Sequence, residues 1–328
     1  MAIPTFLVGV LPGYQTLGVA APILLTLLRM IQGLSVGGEY TTSIVFMVEH
    51  AEGDRRAMIG AMGCCGAVGG ILLGSATGAV LASTMSPAAL EDWGWRIPFV
   101  IGLLVGLAGF VLRRGIEKEK TAKKVGRSPL LETVRSHGPL LVRLAALSVF
   151  NSVGFYLMFV YIVSWLQLAD GIAPARALGI NTISMAVLIP LMVAMGWLSD
   201  RIGRRTVLLA ATAFAFVGAW PLFWLMHHPD PTLVLVGQLG FVLAVGTFIG
   251  VQPATMVEAV PLHVRCTAIA LGYNVTLGVV GGLSPLVATW LVARTGNDYS
   301  PAFMIMAAAA VSFFAVLSFK ETYRTRLA

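Results

Sequence analysis

The chain has 328 residues, of which 57% are hydrophobic and 11% are charged, and its mean hydropathy is +0.86. Soluble domains carry about 25% charged residues, so this composition excludes an ordinary soluble protein. The charges lie between apolar runs of about 20 residues, the length that crosses a hydrocarbon core. We therefore predict an all-α polytopic membrane protein. Its nine predicted spans are 18–48, 57–83, 97–112, 141–166, 176–198, 206–226, 233–257, 266–293 and 301–319.

The net charge of +7 follows the predicted topology. Eighteen of the 22 Lys and Arg residues fall in one alternating set of loops, three fall in the other set, and Arg29 lies inside a span. By the positive-inside rule, the loop 113–143 and the C-terminus face the cytoplasm. The basic residues thus predict orientation in a lipid bilayer, and we expect no nucleic-acid partner.

The N-terminus indicates a chain that lacks its beginning. The apolar run 1–11 is too short to cross a bilayer, and it has neither the basic region nor the cleavage site of a signal peptide. Glu49 precedes Arg56 by seven residues, and Glu258 precedes Arg265 by seven, so the two pairs are offset by 209 residues. This internal repeat predicts a second copy of the basic loop 196–205 upstream of residue 1. We expect a fragment, or a start codon assigned too late.

The second span has a glycine-rich face. Its glycines are Gly60, Gly63, Gly66, Gly69, Gly70, Gly74 and Gly78. Small residues let membrane helices approach closely, so this pattern predicts tight packing along the span. The three cysteines, two of them adjacent, are expected to fill apolar space, and we predict neither a metal site nor a cofactor.

Four short motifs in order carry a family resemblance. They are "RMIQGLSVGGEY" at 29–40, "DWGWRIPF" at 92–99, "GWLSDRIGRR" at 196–205 and "VRCTAIALGYN" at 264–274. Together they resemble the major facilitator superfamily and, within it, the metabolite:proton symporter family, which includes transporters of 2-oxoglutarate, shikimate, citrate and proline/betaine. The resemblance implies two helical bundles, with about nine complete spans and one partial span.

The same resemblance implies the domain boundaries. Residues 1–112 would form an incomplete N-terminal bundle (helices three, in part, to six), and 113–140 a cytoplasmic basic linker. Residues 141–319 would form a C-terminal six-helix bundle, and 320–328 a cytoplasmic tail. The protein is expected to be a monomer that crosses a bacterial inner membrane several times.

The motif at 29–40 places polar groups within a span. Arg29, Gln32 and Glu39 share one helical face, with Arg29 about 16 Å from the outer end at 1.5 Å per residue. Ionisable groups at mid-membrane are functional candidates, so we expect Arg29 to face a substrate or proton pathway. A structural alternative is that a neighbouring carboxylate or backbone carbonyl holds Arg29, and that Glu39 anchors the inner end of the span.

Two further sets of residues are candidates. Hydrogen-bonding side chains inside later spans predict a substrate or proton pathway, or bonds between helices. They are Asn151, Tyr156, Tyr161, Gln252, Tyr273 and Asn274. The resemblance implies that charged residues at the cytoplasmic helix ends form an inner gate. Alternatively, these residues only set the topology. They are Glu49, Arg56, Asp200, Arg204, Glu258 and Arg265.

These features predict a secondary active transporter and no enzyme. The expected activity is proton-coupled symport of a small metabolite by alternating access. Arg29 and the resemblance favour a carboxylate as substrate. Two alternatives stay open, namely symport of a zwitterionic osmolyte such as proline or betaine, and a truncated membrane protein that does not transport.

Overall fold

A computed structural model describes residues 1–114, 129–323, 325 and 327, and these residues form helices joined by turns. The principal helices are α1 (Ala2–Val10), α2 (Ala20–Glu49), α3 (Arg56–Thr84), α4 (Ile97–Arg114), α5 (Gly138–Asp170), α6 (Pro174–Ile202), α7 (Arg204–Met226), α8 (Pro231–Ala259), α9 (Leu262–Thr295) and α10 (Ser300–Ser318). Short helices occur at Tyr14–Leu17, Pro87–Asp92 and Pro129–Ser136. Within the described residues, nine stretches are long and apolar enough to cross a membrane, which confirms the predicted class and number of spans.

The helices divide between two compact units. The first contains α1, α2 up to Tyr40, α3 from Gly70 onward, and α4. The second contains α2 from Thr41, α3 up to Gly69, and all helices from α5 to α10. The predicted division into bundles at 1–112 and 141–319 stays a prediction, and residues 115–128 of the predicted linker lie outside the described residues.

In the first unit, α1 packs closely on α4. A side-chain carbon added at Gly106 would lie 2.2 Å from Ala2 Cβ, so only glycine permits this approach. Arg96, which precedes α4, donates from Nη1 to the carbonyl oxygens of Gly9 and Leu11 at 2.9 and 2.8 Å. A guanidinium suits this position because carbonyl groups at a helix C-terminus lack intrahelical partners and carry partial negative charge.

In the second unit, α8 lies at the centre of the packing. Its residues from Val242 to Val257 are buried almost without interruption. A side-chain carbon at Gly250 would lie 2.3 Å from the backbone oxygen of Met192, so α6 and α8 touch through their backbones. Small residues allow such approaches between membrane helices, where van der Waals packing drives association.

Pro253 leaves one backbone carbonyl of α8 without its usual intrahelical donor. A proline inside a helix has no N–H for the carbonyl four residues earlier, which here belongs to Ile249. The thiol of Cys64, on α3, lies 3.9 Å from that carbonyl oxygen and donates to it. The side chain of Cys64 is 2% exposed, so this contact is sealed within the α3–α8 interface.

The turn before α8 shows how local sequence sets a helix start. Asp230 is the N-cap, and its Oδ1 accepts a hydrogen bond from the backbone N–H of Thr232 at 2.8 Å. Pro231 follows at the first helical position, where a missing N–H costs nothing. The bond from Thr232 lowers the pKa of the Asp230 carboxyl group because it favours the ionised form.

The prediction of close packing along the second span is correct for only part of α3. At Gly60, an added carbon would lie 3.0 Å from Val48, and at Gly63 it would lie 3.3 Å from Met47. The open positions, where an added carbon would meet no described atom within 4 Å, are Gly66, Gly69, Gly70, Gly74 and Gly78. The packed glycines belong to the second unit, whereas α3 leaves that unit after Gly69. The pattern of glycines therefore does not by itself show where a partner helix lies.

Gly250→Ala is expected to lower the thermal unfolding midpoint of the purified protein, because overpacking a tight helix contact costs about 1–3 kcal/mol. Gly179→Ala is the matched control, since an added carbon there meets no described atom within 4 Å. The midpoint should be followed by fluorescence-detected size exclusion after heating. Equal midpoints for the two variants would contradict the backbone contact between α6 and α8.

Candidate functional site

Six charged side chains lie where six helices of the second unit begin or end, and we call them the charged cluster. They are Glu49, Arg56, Asp200, Arg204, Glu258 and Arg265. Each helix either ends or begins beside one of them, which is why the sequence places all six at turns. The residues predicted for the gate form two contact groups, one of Glu49 with Arg265 and one of Arg56, Asp200, Arg204 and Glu258.

Arg204 lies at the centre of the charged cluster, with its side chain 2% exposed. Its Nη1 lies 2.6 Å from Asp200 Oδ1, and its Nη2 lies 3.1 Å from Glu258 Oε1. Nε donates to the second oxygen of Glu258 at 3.3 Å. A planar guanidinium can satisfy two carboxylates at once, and burial without such partners would leave an uncompensated charge.

Asp200 joins α6 to the beginning of α3. Its two carboxylate oxygens accept from the backbone N–H groups of Ala57 and Met58 at 3.1 and 2.9 Å. These groups lie in the first turn of α3, where unpaired donors and the helix dipole favour a negative charge. Gly196 permits the approach, because a side-chain carbon there would lie 2.8 Å from the Ala57 carbonyl oxygen.

The internal repeat of the sequence forms crossed pairs in space. Arg265 Nη1 lies 2.5 Å from Glu49 Oε1, and Arg56 Nη1 lies 3.8 Å from Glu258 Oε1. In each case the glutamate from one copy of the Glu-x₆-Arg spacing meets the arginine from the other copy. These contacts tie the ends of α2 and α3 to the ends of α8 and α9.

A cavity of about 830 Å³ opens beside the charged cluster, between the turn before α3 and the end of α6. Arg56 and Asp200 line it, together with Arg201 and Trp197. The Arg201 guanidinium lies 3.7 Å from the centre of the Trp197 ring, a cation–π contact. One edge of the charged cluster therefore borders this opening, whereas Arg204 and Glu258 lie deeper.

Four neutral side chains form a second group, which we call the polar cluster. Asn151 Nδ2 donates to Gln252 Oε1 at 2.8 Å and contacts the Tyr273 hydroxyl at 3.3 Å. Gln252 Nε2 donates to Ser148 Oγ at 3.0 Å. All four side chains are buried, and they link α5, α8 and α9. Three of the predicted pathway residues are therefore brought together.

The other predicted residues of the second unit lie outside the polar cluster. Asn274 Nδ2 donates to Thr41 Oγ1 at 3.1 Å and joins α9 to α2. Tyr156 packs on Gly281, where an added carbon would lie 2.8 Å from the tyrosine ring. Tyr161 is buried, with 6% of the residue exposed. It lies ten residues beyond Asn151, or about 15 Å along α5.

Two of the tyrosines lie in π-helical turns. Residues Leu157–Tyr161 of α5 and Ala270–Asn274 of α9 each form such a turn, and a second one in α9 covers Thr276–Gly281. A π-turn inserts an extra residue into the helix and redirects the side chains that follow, and such turns are frequent at functional sites. Tyr273 lies in the first π-turn of α9, and its hydroxyl oxygen lies 3.3 Å from Asn151 Nδ2.

The motif at 29–40 lies mainly in the first unit. Arg29 Nη1 donates to Gln32 Oε1 at 3.3 Å, so the predicted shared face is confirmed for these two residues. Gln32 is buried, and its Nε2 donates to Thr5 Oγ1 at 2.7 Å, which links α2 to α1. The side chains of Arg29 and Glu39 are exposed. Their roles in a substrate or proton pathway stay predictions.

The sequence analysis missed several residues that bond to the predicted ones. Ser148 accepts from Gln252, and Thr41 accepts from Asn274. Glu321 and Thr322, just after α10, bond to Arg204 and Glu258. Glu321 could have been found from the sequence, because the positive-inside rule accounts for the basic residues around it but not for an acidic one. Hydroxyl groups carry no such signal. Among the described residues, no group of His, Cys, Asp and Glu could hold a metal ion.

Comparison with known proteins shows the family. The model of the Major Facilitator Superfamily matches residues 1–283 and 171–327. The chain is 32% identical to the proline/betaine transporter of Escherichia coli strain K12, over 98% of the chain and 67% of that relative. It is 31% identical to the glycine betaine/proline/ectoine/pipecolic acid transporter OusA of Dickeya dadantii, over 98% of the chain and 67% of OusA.

Solved structures show the same fold. The proton:xylose symporter XylE superposes with a TM-score of 0.77 at 17% identity, covering 98% of this chain and 79% of XylE. The E. coli fucose:proton symporter FucP superposes with a TM-score of 0.68 at 16% identity, covering 96% of this chain and 81% of FucP. These similarities confirm the predicted major facilitator fold.

Arg204→Ala is expected to destabilise the protein by about 3–5 kcal/mol, because it leaves two buried carboxylates without their partner. Arg55→Ala is the matched control. Arg55 and Glu52 are 61% and 76% exposed, 3.8 Å apart, and such a pair is worth about 0–1 kcal/mol. Thermal unfolding of the purified variants measures both effects. A similar shift for the two would show that burial does not strengthen the Arg204 contacts.

Proposed function

Since the chain belongs to the Major Facilitator Superfamily, we propose that it is a proton-coupled symporter of a zwitterionic osmolyte, such as proline or glycine betaine. The observation that carries the proposal is the similarity over 98% of the chain to proline/betaine transporters. It favours the osmolyte over the carboxylate that the sequence analysis preferred. Proton coupling rests on the resemblance to metabolite:proton symporters.

The chemistry of the polar cluster supports a zwitterion. Its side chains, from Ser148, Asn151, Gln252 and Tyr273, are all neutral. A zwitterion has no net charge, so its site needs no net compensating charge, whereas a dicarboxylate requires compensating positive charge in a buried site. Amide N–H groups can donate to a substrate carboxylate, and a tyrosine ring can face a quaternary ammonium. We propose that these groups exchange their mutual bonds for bonds to substrate.

The charged cluster supports an inner gate. Gln252 precedes Glu258 by six residues, so the two clusters lie about 9 Å apart along α8. Ion pairs that cross from α2 and α3 to α8 and α9 hold this end closed. Opening it requires these pairs to separate together, which gives two discrete states of the kind that alternating access needs. Because the basic residues concentrate at this end, we propose that it faces the cytoplasm, as does the C-terminus.

The first unit carries candidate residues of its own, which are Arg29, Gln32 and Glu39. Arg29 and Gln32 are bonded on one face of α2, and Glu39 follows two helical turns later. Arg29 and Glu39 are the ionisable groups of this face, and we propose that they take part in proton movement. The protein is proposed to act as a monomer in a bacterial inner membrane.

Cells that produce the protein are expected to accumulate radiolabelled glycine betaine or proline against a gradient. A protonophore should abolish the accumulation, because the driving force is the proton gradient. A tenfold excess of unlabelled 2-oxoglutarate should leave uptake unchanged, while unlabelled betaine should suppress it. Accumulation of radiolabelled 2-oxoglutarate, with no accumulation of betaine or proline, would restore the carboxylate as substrate. No uptake of any of the three compounds would support a membrane protein that does not transport.

Gln252→Ala is expected to raise the KM for uptake about tenfold, because each lost hydrogen bond to a charged substrate group is worth about 1.5–3 kcal/mol. Gln238→Ala is the matched control on the same helix. Gln238 is also fully buried, and its Nε2 donates to the Met158 carbonyl oxygen and to Asn181 Oδ1, away from the polar cluster. It should lower protein abundance without changing KM. Equal changes in KM would assign Gln252 a purely structural role.

A further inference from the structure

The segment after α10 contacts the charged cluster at three points, and we call residues 319–323 and 325 the C-terminal strap. Helix α10 ends at Ser318, and Phe319 continues in an extended conformation with its side chain 8% exposed. Phe319 thus anchors the beginning of the strap in the second unit. From there the chain runs across the beginning of α7 toward the beginning of α3.

The first contact caps α7. Oε1 and Oε2 of Glu321 accept from the backbone N–H groups of Arg204 and Arg205 at 2.9 and 3.0 Å. Helices normally take this bond from an N-cap side chain, but the N-cap here is Gly203. Gly203 has φ +105°, and a side-chain carbon there would lie 2.6 Å from Glu321. The glycine therefore makes room for a carboxylate that arrives from the C-terminus of the chain.

The second and third contacts reach the ion pairs themselves. Thr322 Oγ1 donates to Glu258 Oε2 at 2.6 Å. The carbonyl oxygen of Thr325 accepts from Arg56 Nη1 at 2.8 Å. Arg56 is also the residue that lies 3.8 Å from Glu258, so the strap bonds both members of one crossed pair. Thr325 lines the cavity beside the charged cluster and forms part of its wall.

We propose that the C-terminal strap is a latch for the inner gate, with Glu321 and Thr322 as its positioning residues. Glu321 fixes the backbone from which the Arg204 side chain extends, and Thr322 fixes the Glu258 carboxylate that receives it. The strap thereby orients both partners of the central ion pair and favours the closed state. This inference rests on the gate described under the proposed function.

Thr322 provides the sharpest test because one hydroxyl group carries its contact. Thr322→Val removes that hydroxyl and leaves the volume of the side chain nearly unchanged. Thr322→Ser keeps the hydroxyl and should behave as the unaltered protein. Thr182→Val is the matched control, since its exposed hydroxyl donates to the Leu178 carbonyl oxygen within α6, 18 residues or about 27 Å before Asp200.

The natural thiol of Cys64 reports opening. The chain has three cysteines, so Cys65→Ser and Cys266→Ser leave Cys64 alone, sealed between α3 and α8. Its rate of labelling by a maleimide in inside-out membrane vesicles measures how often this interface opens. Asp200→Asn, which weakens the bonds to Arg204 and to the start of α3, serves as the positive control for the gate.

We expect Thr322→Val to raise the labelling rate about tenfold, because a hydrogen bond to a buried carboxylate is lost. Asp200→Asn should raise it as well, and Thr322→Ser and Thr182→Val should not. An unchanged rate for Thr322→Val beside a raised rate for Asp200→Asn would overturn the latch and leave the gate intact. Equal increases for Thr322→Val and Thr182→Val would also overturn the latch. An unchanged rate for Asp200→Asn would contradict the proposed gate, and therefore also the latch that rests on it.

Discussion

Arg204 carries a positive charge into a position where its side chain is 2% exposed, and the arrangement of the surrounding helices follows from the need to neutralise it. Two carboxylates, from Asp200 and Glu258, lie within hydrogen-bonding distance. Each carboxylate in turn has further partners. Asp200 accepts from the start of α3, whereas Glu258 accepts from Thr322 and lies 3.8 Å from Arg56 in an ion pair. A buried charge of this kind stabilises a structure only when every partner is present. The closed end of the second unit is thus cooperative, since loss of one partner weakens the rest.

The polar cluster, about 9 Å along α8 from Glu258, works on another principle. Asn151, Gln252 and Tyr273 have no charge to compensate, and bonds between neutral groups in a membrane are worth about 0.6 kcal/mol on average. Such bonds exchange readily for bonds to a substrate, whereas the charged cluster resists separation. Weak neutral bonds that can accept a ligand, beside strong ion pairs that can close, are the combination that the proposed transport of a zwitterion requires.

The sequence predicted the helices and the charged cluster because both follow from strong local rules. Apolar runs of span length define the helices, and acidic residues such as Asp200 and Glu258 in basic turns stand out against the topology rule. The repeat placed Glu49 and Arg265 in the same topological setting, but its spacing did not predict that they would pair across the two copies. The polar cluster was predicted only in part, because Asn151, Gln252 and Tyr273 stand out inside apolar spans whereas the small hydroxyl group of Ser148 does not. The predicted packing along all of α3 was wrong for its second half, because the spacing of glycines shows where a helix could approach but not whether one does.

The cap of α7 has a consequence for the biosynthesis of the protein. Glu321 follows Arg204 by 117 residues, and a ribosome that adds roughly 5–20 residues per second needs roughly 6–23 s to make them. During that interval α7 can enter the bilayer while its first N–H groups, beside Gly203, have only water or lipid headgroups to bond. The helix start is completed only after Glu321 has left the exit tunnel. A late step of assembly therefore depends on this one residue, and a chain released before residue 321 would lack the cap of α7.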